Sequence, residues 1–200
     1  QVADWNGKSM TSKDIKPVIE QPDTEIPLML SQAIIVAGVL AVGELACSPL
    51  YFSLLKSSLA LIPWAMEAVF MAVAFTFVVG FALLWCAESF TLKMRERFRP
   101  FAYAIVGLIG YGVWSLLVFS ATINSVLAMV GESVLTNGQI SAIALNGAAL
   151  GFVAFLLAKL LDVKLGNRKT TAIIMLVVEV AGAIIGLIIM ILMFRALYAA

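Results

Sequence analysis

Histidine is absent from the 200 residues. That removes the usual haem ligand, the commonest zinc ligand and the side chain that titrates near neutrality. No metal site, cofactor or catalytic residue is therefore expected. Cysteine is nearly absent. Cys47 and Cys86 each sit inside an apolar run. They are expected toward opposite faces of a bilayer, too far apart for a disulfide, and to behave as small buried hydrophobes. Charge is the third scarcity: 12% of residues carry it, against about a quarter in an ordinary soluble domain. The net charge of +1 gives no overall pull toward nucleic acid. The serines lack a base partner, and no glycine-rich phosphate loop follows a strand. The chain is not expected to be an enzyme.

What the sequence has instead is apolar length. Hydrophobic residues make up 62% of the chain, more than any soluble core needs, so lipid is expected to be much of its solvent. A helix crosses a bilayer with about 20 apolar residues. Runs of that length occur at 28–52, 64–90, 101–129, 140–161 and 172–194. Irregular backbone is not tolerated against lipid, so the expected fold is an all-α integral membrane bundle of about five transmembrane helices, residues 27–200. Pro49 is expected to kink or end the first run; a re-entrant element there would leave four spans. Pro63 is placed for a first helical turn. Residues 1–26 form a polar arm with Pro17 and Pro22, and no apolar h-region marks it as a signal peptide.

Basic residues orient such a bundle. Lys93, Arg95, Arg97 and Arg99 lie between the second and third runs. Lys164, Arg168 and Lys169 lie between the fourth and fifth, and Lys8, Lys13 and Lys16 in the arm. With five spans these all fall on one side, with Lys159, leaving only Lys56 and Arg195 on the other. The amino terminus and basic loops are expected to be cytoplasmic and the carboxyl terminus opposite. The loop containing Lys93, Arg95, Arg97 and Arg99 is suited to anionic headgroups or a partner protein. Tyr51, Trp64 and Tyr198 are expected in one interfacial aromatic belt, and Trp85, Phe98 and Tyr103 in the other. Trp114 is expected between helices.

Two sets of residues inside the runs carry functional interest. Gly147 and Gly151, and Gly182 and Gly186, form GxxxG motifs that let helix backbones approach in lipid. Gly107, Gly110 and Gly112 offer the same on the third run. The packing is expected within the chain, or against another subunit. Glu44 and Glu179 are deep carboxylates, Glu179 roughly 10 Å into its run. A charge at that depth costs from about 2.5 kcal/mol upward, so each is expected to hold its proton or to find a partner. Thr122, Asn124 and Asn146 are the polar residues at hand. Glu67, Glu88 and Glu132 are expected at helix ends, Glu67 within reach of water and Glu88 near Lys93 and Arg95. Lys159 and Asp162, one turn apart, are expected to pair.

The hairpin 140–194, with its short basic loop and the single Glu179 in its second helix, resembles the rotor-ring proteolipids of ATP synthases. That resemblance would imply an ion-carrying carboxylate. The glycine-rich repeat of those proteins is missing, and three further runs precede the hairpin. The stretch "GELACSPLYFSLLKS", 43–57, is similar to a helix of small multidrug exporters and to one of proton-coupled peptide transporters, and so selects neither. The leading expectation is a non-catalytic subunit of a larger membrane complex, its partners the bilayer and other membrane subunits or copies of itself. The alternative is a proton- or cation-coupled channel or transporter using Glu44 and Glu179.

Overall fold

Pro27 opens the first long helix, α1, Leu28–Ala46. The structure, a computed structural model, describes residues 24–54, 61–129 and 131–199; Lys56 and residues 1–23 of the arm lie outside these. After α1 come α2 (Ser48–Leu54), α3 (Leu61–Phe75) and α4 (Phe81–Thr91). The last two are joined by a π-helical turn, Thr76–Gly80, into one rod. A 3₁₀ turn, Glu96–Phe98, leads into a second rod, α5 (Arg99–Trp114), a π turn (Ser115–Phe119) and α6 (Ser120–Met129). Two long helices complete the chain, α7 (Asn137–Gly166) and α8 (Lys169–Ala199). Every regular element among the described residues is helical. Five helices are long and apolar enough to cross a membrane: Leu28–Ala46, Trp64–Thr91, Glu96–Met129, Asn137–Gly166 and Lys169–Ala196.

The boundaries follow local chemistry. The first apolar run does not stay one helix to residue 52. It stops at Ala46, and Cys47 closes it with its N–H turned back to Gly43 and Leu45. Pro49 then falls in the first turn of α2, where it lacks no needed N–H and its ring meets no preceding carbonyl. Pro63 sits likewise in the first turn of α3, and Pro100 in that of α5. Thr136 starts α7 with a capping box: its hydroxyl accepts from the Gln139 N–H, and the Gln139 side chain accepts from the Thr136 N–H. α7 and α8 outrun their apolar stretches at both ends, because polar residues such as Asp162 and Lys164 continue a helix readily once it is nucleated.

Helix α1 is the centre of the bundle. Residues Ser31 to Ala37 are all buried, as expected of a helix surrounded by others. It packs against α7, α3 and, less extensively, α8 and α4. The most extensive contact is α5 on α7. There Gly107 and Gly151 lie back to back, with no room for a Cβ on either, and Gly147 faces the Ser115 side chain. The other GxxxG contact is α3 on α8. There Gly186 sits against the Met66 carbonyl, and Gly182 faces Val69 across a looser gap. Both GxxxG pairs thus face helices of the same chain. The opposite face of α8 carries Ile173, Val177, Ile184 and Ile191, all exposed.

Candidate functional site

Glu44, Glu67 and Glu179 are buried in the bundle interior, at 0%, 1% and 7% exposure. Glu44 comes from the last turns of α1. The neighbouring α5 presents Tyr111 from the sequence Gly-Tyr-Gly. Its hydroxyl donates to Glu44 Oε1 at 2.8 Å. Tyr51, from α2, lies beside the same carboxylate, and its hydroxyl accepts from Asn146 Nδ2 of α7 at 3.1 Å. Four elements therefore converge on one acid. Glu44 Oε2 has no hydrogen-bond partner among the described residues.

Aromatic rings enclose this group. Tyr51 contacts Trp64 at 5.3 Å and stacks on Phe119 at 6.0 Å, and Tyr111 meets Phe75 edge-on at 4.8 Å. Phe75 immediately precedes one π turn and Phe119 ends the other. Each π turn adds a residue to its helical circuit. The one in the second rod leaves Tyr111 and Phe119, eight residues apart, both buried toward α1 and α2.

Glu179 takes a different environment. One oxygen lies where a side chain on Gly38 of α1 would otherwise be, 2.9 Å from that Cβ position. Neither oxygen has a partner among the described residues. Glu67 is buried where α3 is covered by its neighbours, and both its oxygens are likewise unpartnered. It does not reach water, contrary to the expectation from its nearness to Pro63, because neighbouring helices cover the side chain. Helix register relates the three. Gly38 lies level with Glu179, and Glu44 about 9 Å further along α1. Gly186, beside Met66, lies about 10 Å beyond Glu179 on α8. Glu44 and Glu67 therefore stand at similar heights, and Glu179 about two turns from both.

A second polar group ties the opposite end of the bundle. Gln32 Nε2 of α1 donates to Asp162 Oδ2 of α7 at 2.9 Å. Lys159 pairs with Asp162 at 3.1 Å, as its one-turn spacing predicts, and reaches Glu88 of α4 at 3.6 Å. The Tyr103 hydroxyl of α5 donates to Glu88, and Lys159 stands 5.3 Å from the Tyr103 ring. Glu88 thus pairs with Lys159 rather than Lys93 or Arg95, which are exposed in the turn after α4. This group binds four helices where α1, α5 and α8 begin and α4 and α7 end, the end that carries both basic loops.

The remaining expectations resolve individually. Thr122 bonds its own helix at the Val118 carbonyl, Asn124 accepts from the Leu135 N–H, and only Asn146 joins the Glu44 group. Glu132 is exposed. Lys93, Arg95 and Arg97 are exposed, Arg97 over the Phe98 ring at 4.7 Å, while Arg99 is half-buried. Trp85 and Phe98 are exposed, as a belt requires, but Tyr51, Trp64 and Tyr103 are buried: each finds an aromatic or acidic partner inside. The side chain of Tyr198 lies outside the described residues. Trp114 packs 5.6 Å from Phe75. Cys47 and Cys86 are both free thiols. Among the described residues no cluster of three acids or thiols could hold a metal ion.

Sequence inspection missed Tyr111, Tyr51 and Gln32. The available signal was a tyrosine flanked by glycines in mid-run, and a glutamine four residues into an otherwise apolar helix. Comparison with protein-family models, curated proteins and solved structures finds no match to this chain, so what the site can do rests on its own geometry.

Proposed function

We propose that the chain is a multi-pass integral membrane protein that moves protons through its interior by way of Glu44, Glu67 and Glu179. The amino terminus and basic loops are cytoplasmic and the carboxyl terminus lies on the other side. Five candidate spans and the one-sided basic residues support the membrane placement. The observation that carries the function is the Glu44 group: a buried carboxylate with one oxygen held by Tyr111, one oxygen open, and the Tyr51–Asn146 pair beside it. Intramembrane acids are costly and mark ion paths and proton relays. Tyrosine hydroxyls both give and accept a proton, so this donor set suits a proton better than a hard cation, which takes six or more oxygens or several waters.

The test is proton flux in liposomes loaded with a pH-sensitive dye, driven by a potassium diffusion potential. Wild type is expected to acidify or alkalinise the lumen faster than empty vesicles. Glu44→Gln is expected to abolish the difference, and Tyr111→Phe to reduce it. Wild-type flux equal to empty vesicles, or full flux in Glu44→Gln with normal insertion, would refute the proposal.

A second reading is a non-catalytic subunit of a larger membrane assembly, or a homo-oligomer. It is favoured by Glu179, a buried acid without a partner on the least covered of the five helices. A donor from another chain would satisfy it. Native mass spectrometry after gentle extraction tests this: partner chains present in wild type and lost in Glu179→Gln support it, and an unchanged solitary chain sinks it.

A further inference from the structure

A groove of about 1050 Å³ runs between α1, α7 and α8. That is at the upper end of the roughly 300–1,000 Å³ usual for a small-molecule site. Val39 and Val42 of α1 and Leu150 and Val153 of α7 line its length, and Gly38 and Gly43 keep its α1 wall low. Its polar residues gather at one end, where the α7–α8 turn contributes Lys164, Asn167 and Arg168 and the first turn of α8 contributes Thr171. All four are exposed, and among the described residues the only ion pairs belong to Lys159.

Length and charge together identify an occupant. The α1 wall runs from Ile35 to Ala46, about 16 Å at 1.5 Å per residue. The hydrocarbon core of a bilayer is about 30 Å thick, so the groove is as deep as one leaflet. Its basic end is the end with both basic loops. A cytoplasmic leaflet is rich in anionic lipid, and basic pockets between transmembrane helices on that side hold anionic headgroups. We propose that this groove is a binding site for one anionic phospholipid. An acyl chain lies along α1, and the phosphate is held by Lys164 and Arg168 with Asn167 and Thr171 as hydrogen-bond donors. The site rests on the membrane-spanning reading above but not on proton movement. It is separate from the exposed loop of Lys93, Arg95 and Arg97, none of which lines the groove.

The lipid also gives Gly38 a role. The groove wall at Gly38 and Met175 is the wall against which Glu179 lies. An acyl chain there covers the approach to that acid from the side and keeps its surroundings dry.

The experiment uses the full chain, delipidated in mild detergent and titrated with dioleoyl phosphatidylglycerol or dioleoyl phosphatidylcholine under native mass spectrometry. One phosphatidylglycerol is expected to bind in preference to phosphatidylcholine. From the usual contribution of two basic side chains near a headgroup, the preference should be on the order of 30-fold. Lys164→Gln with Arg168→Gln should bring the two lipids to equal affinity. Val42→Trp, at a position 67% exposed, should weaken both by filling the groove. Lys93→Gln with Arg95→Gln should change neither. Equal binding of the two lipids by wild type, or a preference that survives loss of Lys164 and Arg168, overturns the site. Failure of wild type to insert into phosphatidylglycerol vesicles at all, scored by flotation, would instead refute the membrane-spanning reading.

Discussion

Gly151→Ala adds one methyl group where α5 and α7 meet backbone to backbone. The new Cβ would overlap the Gly107 carbonyl oxygen, and it would stand 2.7 Å from Tyr111 Cβ and 2.9 Å from the Gly107 carbonyl carbon. These are backbone atoms and the root of a side chain, so none can rotate away. α5 and α7 must move apart by several tenths of an ångström at least. Overpacking of this kind costs about 1–3 kcal/mol. The displacement acts on Tyr111, whose hydroxyl is 2.8 Å from Glu44, and a hydrogen bond lost from a buried acid adds about 1–3 kcal/mol. Replacing glycine by alanine within a helix returns about 0.5–1 kcal/mol, leaving a net loss of about 1–5 kcal/mol. Gly182→Ala is the internal control. Its Cβ meets only Val69 Cγ1 at 3.3 Å, a methyl that can shift, so its cost should stay below about 1 kcal/mol. Unfolding by SDS in mixed micelles, followed by circular dichroism or steric trapping, measures both. Equal effects of the two substitutions, or a neutral Gly151→Ala, would refute the reasoning that backbone contact at α5–α7 sets the stability of the bundle and the geometry of Glu44.

Other substitutions test the remaining parts. Lys159→Met should destabilise by about 2–4 kcal/mol in the same assay, since Asp162 would remain buried without its cation, answered only by Gln32 and the Val163 N–H; Lys159→Arg should recover part of the loss. Glu67→Leu removes a buried acid with no partner and should leave stability unchanged or raise it by about 1 kcal/mol, while lowering proton flux in liposomes; loss of both stability and flux would point to a packing role. Thr136→Ala deletes the capping box of α7 and should cost about 1 kcal/mol, with more rapid amide exchange confined to the first turn of that helix. Asn146→Leu frees the Tyr51 hydroxyl and should slow flux several-fold without changing the unfolding midpoint by more than about 1 kcal/mol.

The number and approximate place of the long helices were legible in the sequence because apolar length is a one-dimensional property: a bilayer asks for about 20 apolar residues wherever they occur. The Lys159–Asp162 pair was legible because residues three apart on a helix are neighbours before any tertiary fold exists. The Thr136 cap is likewise local. The break at Cys47 was visible as Pro49, yet its result, a short α2 that turns Tyr51 back over Glu44, depends on what α2 packs against.

Partners across helices were not legible, for a physical reason. A carboxylate in an apolar run announces its cost but not its neighbour. Thr122, Asn124 and Asn146 were equal candidates until helix order and rotation selected Asn146, by way of Tyr51, and brought in Tyr111 from 67 residues away. Glu67 looked wet because sequence gives distance from a helix end but not which neighbouring helices cover the side chain. Glu88 lay close in sequence to Lys93 and Arg95, but the turn after α4 carries those side chains outward while α7 brings Lys159 to it. The GxxxG motifs named residues able to accept a backbone without naming whose. Composition and periodicity determined that this chain makes long apolar helices with costly acids inside them. Only the packing of those helices, which sets rotation and height for every side chain at once, decided which acids share a site and which stand alone.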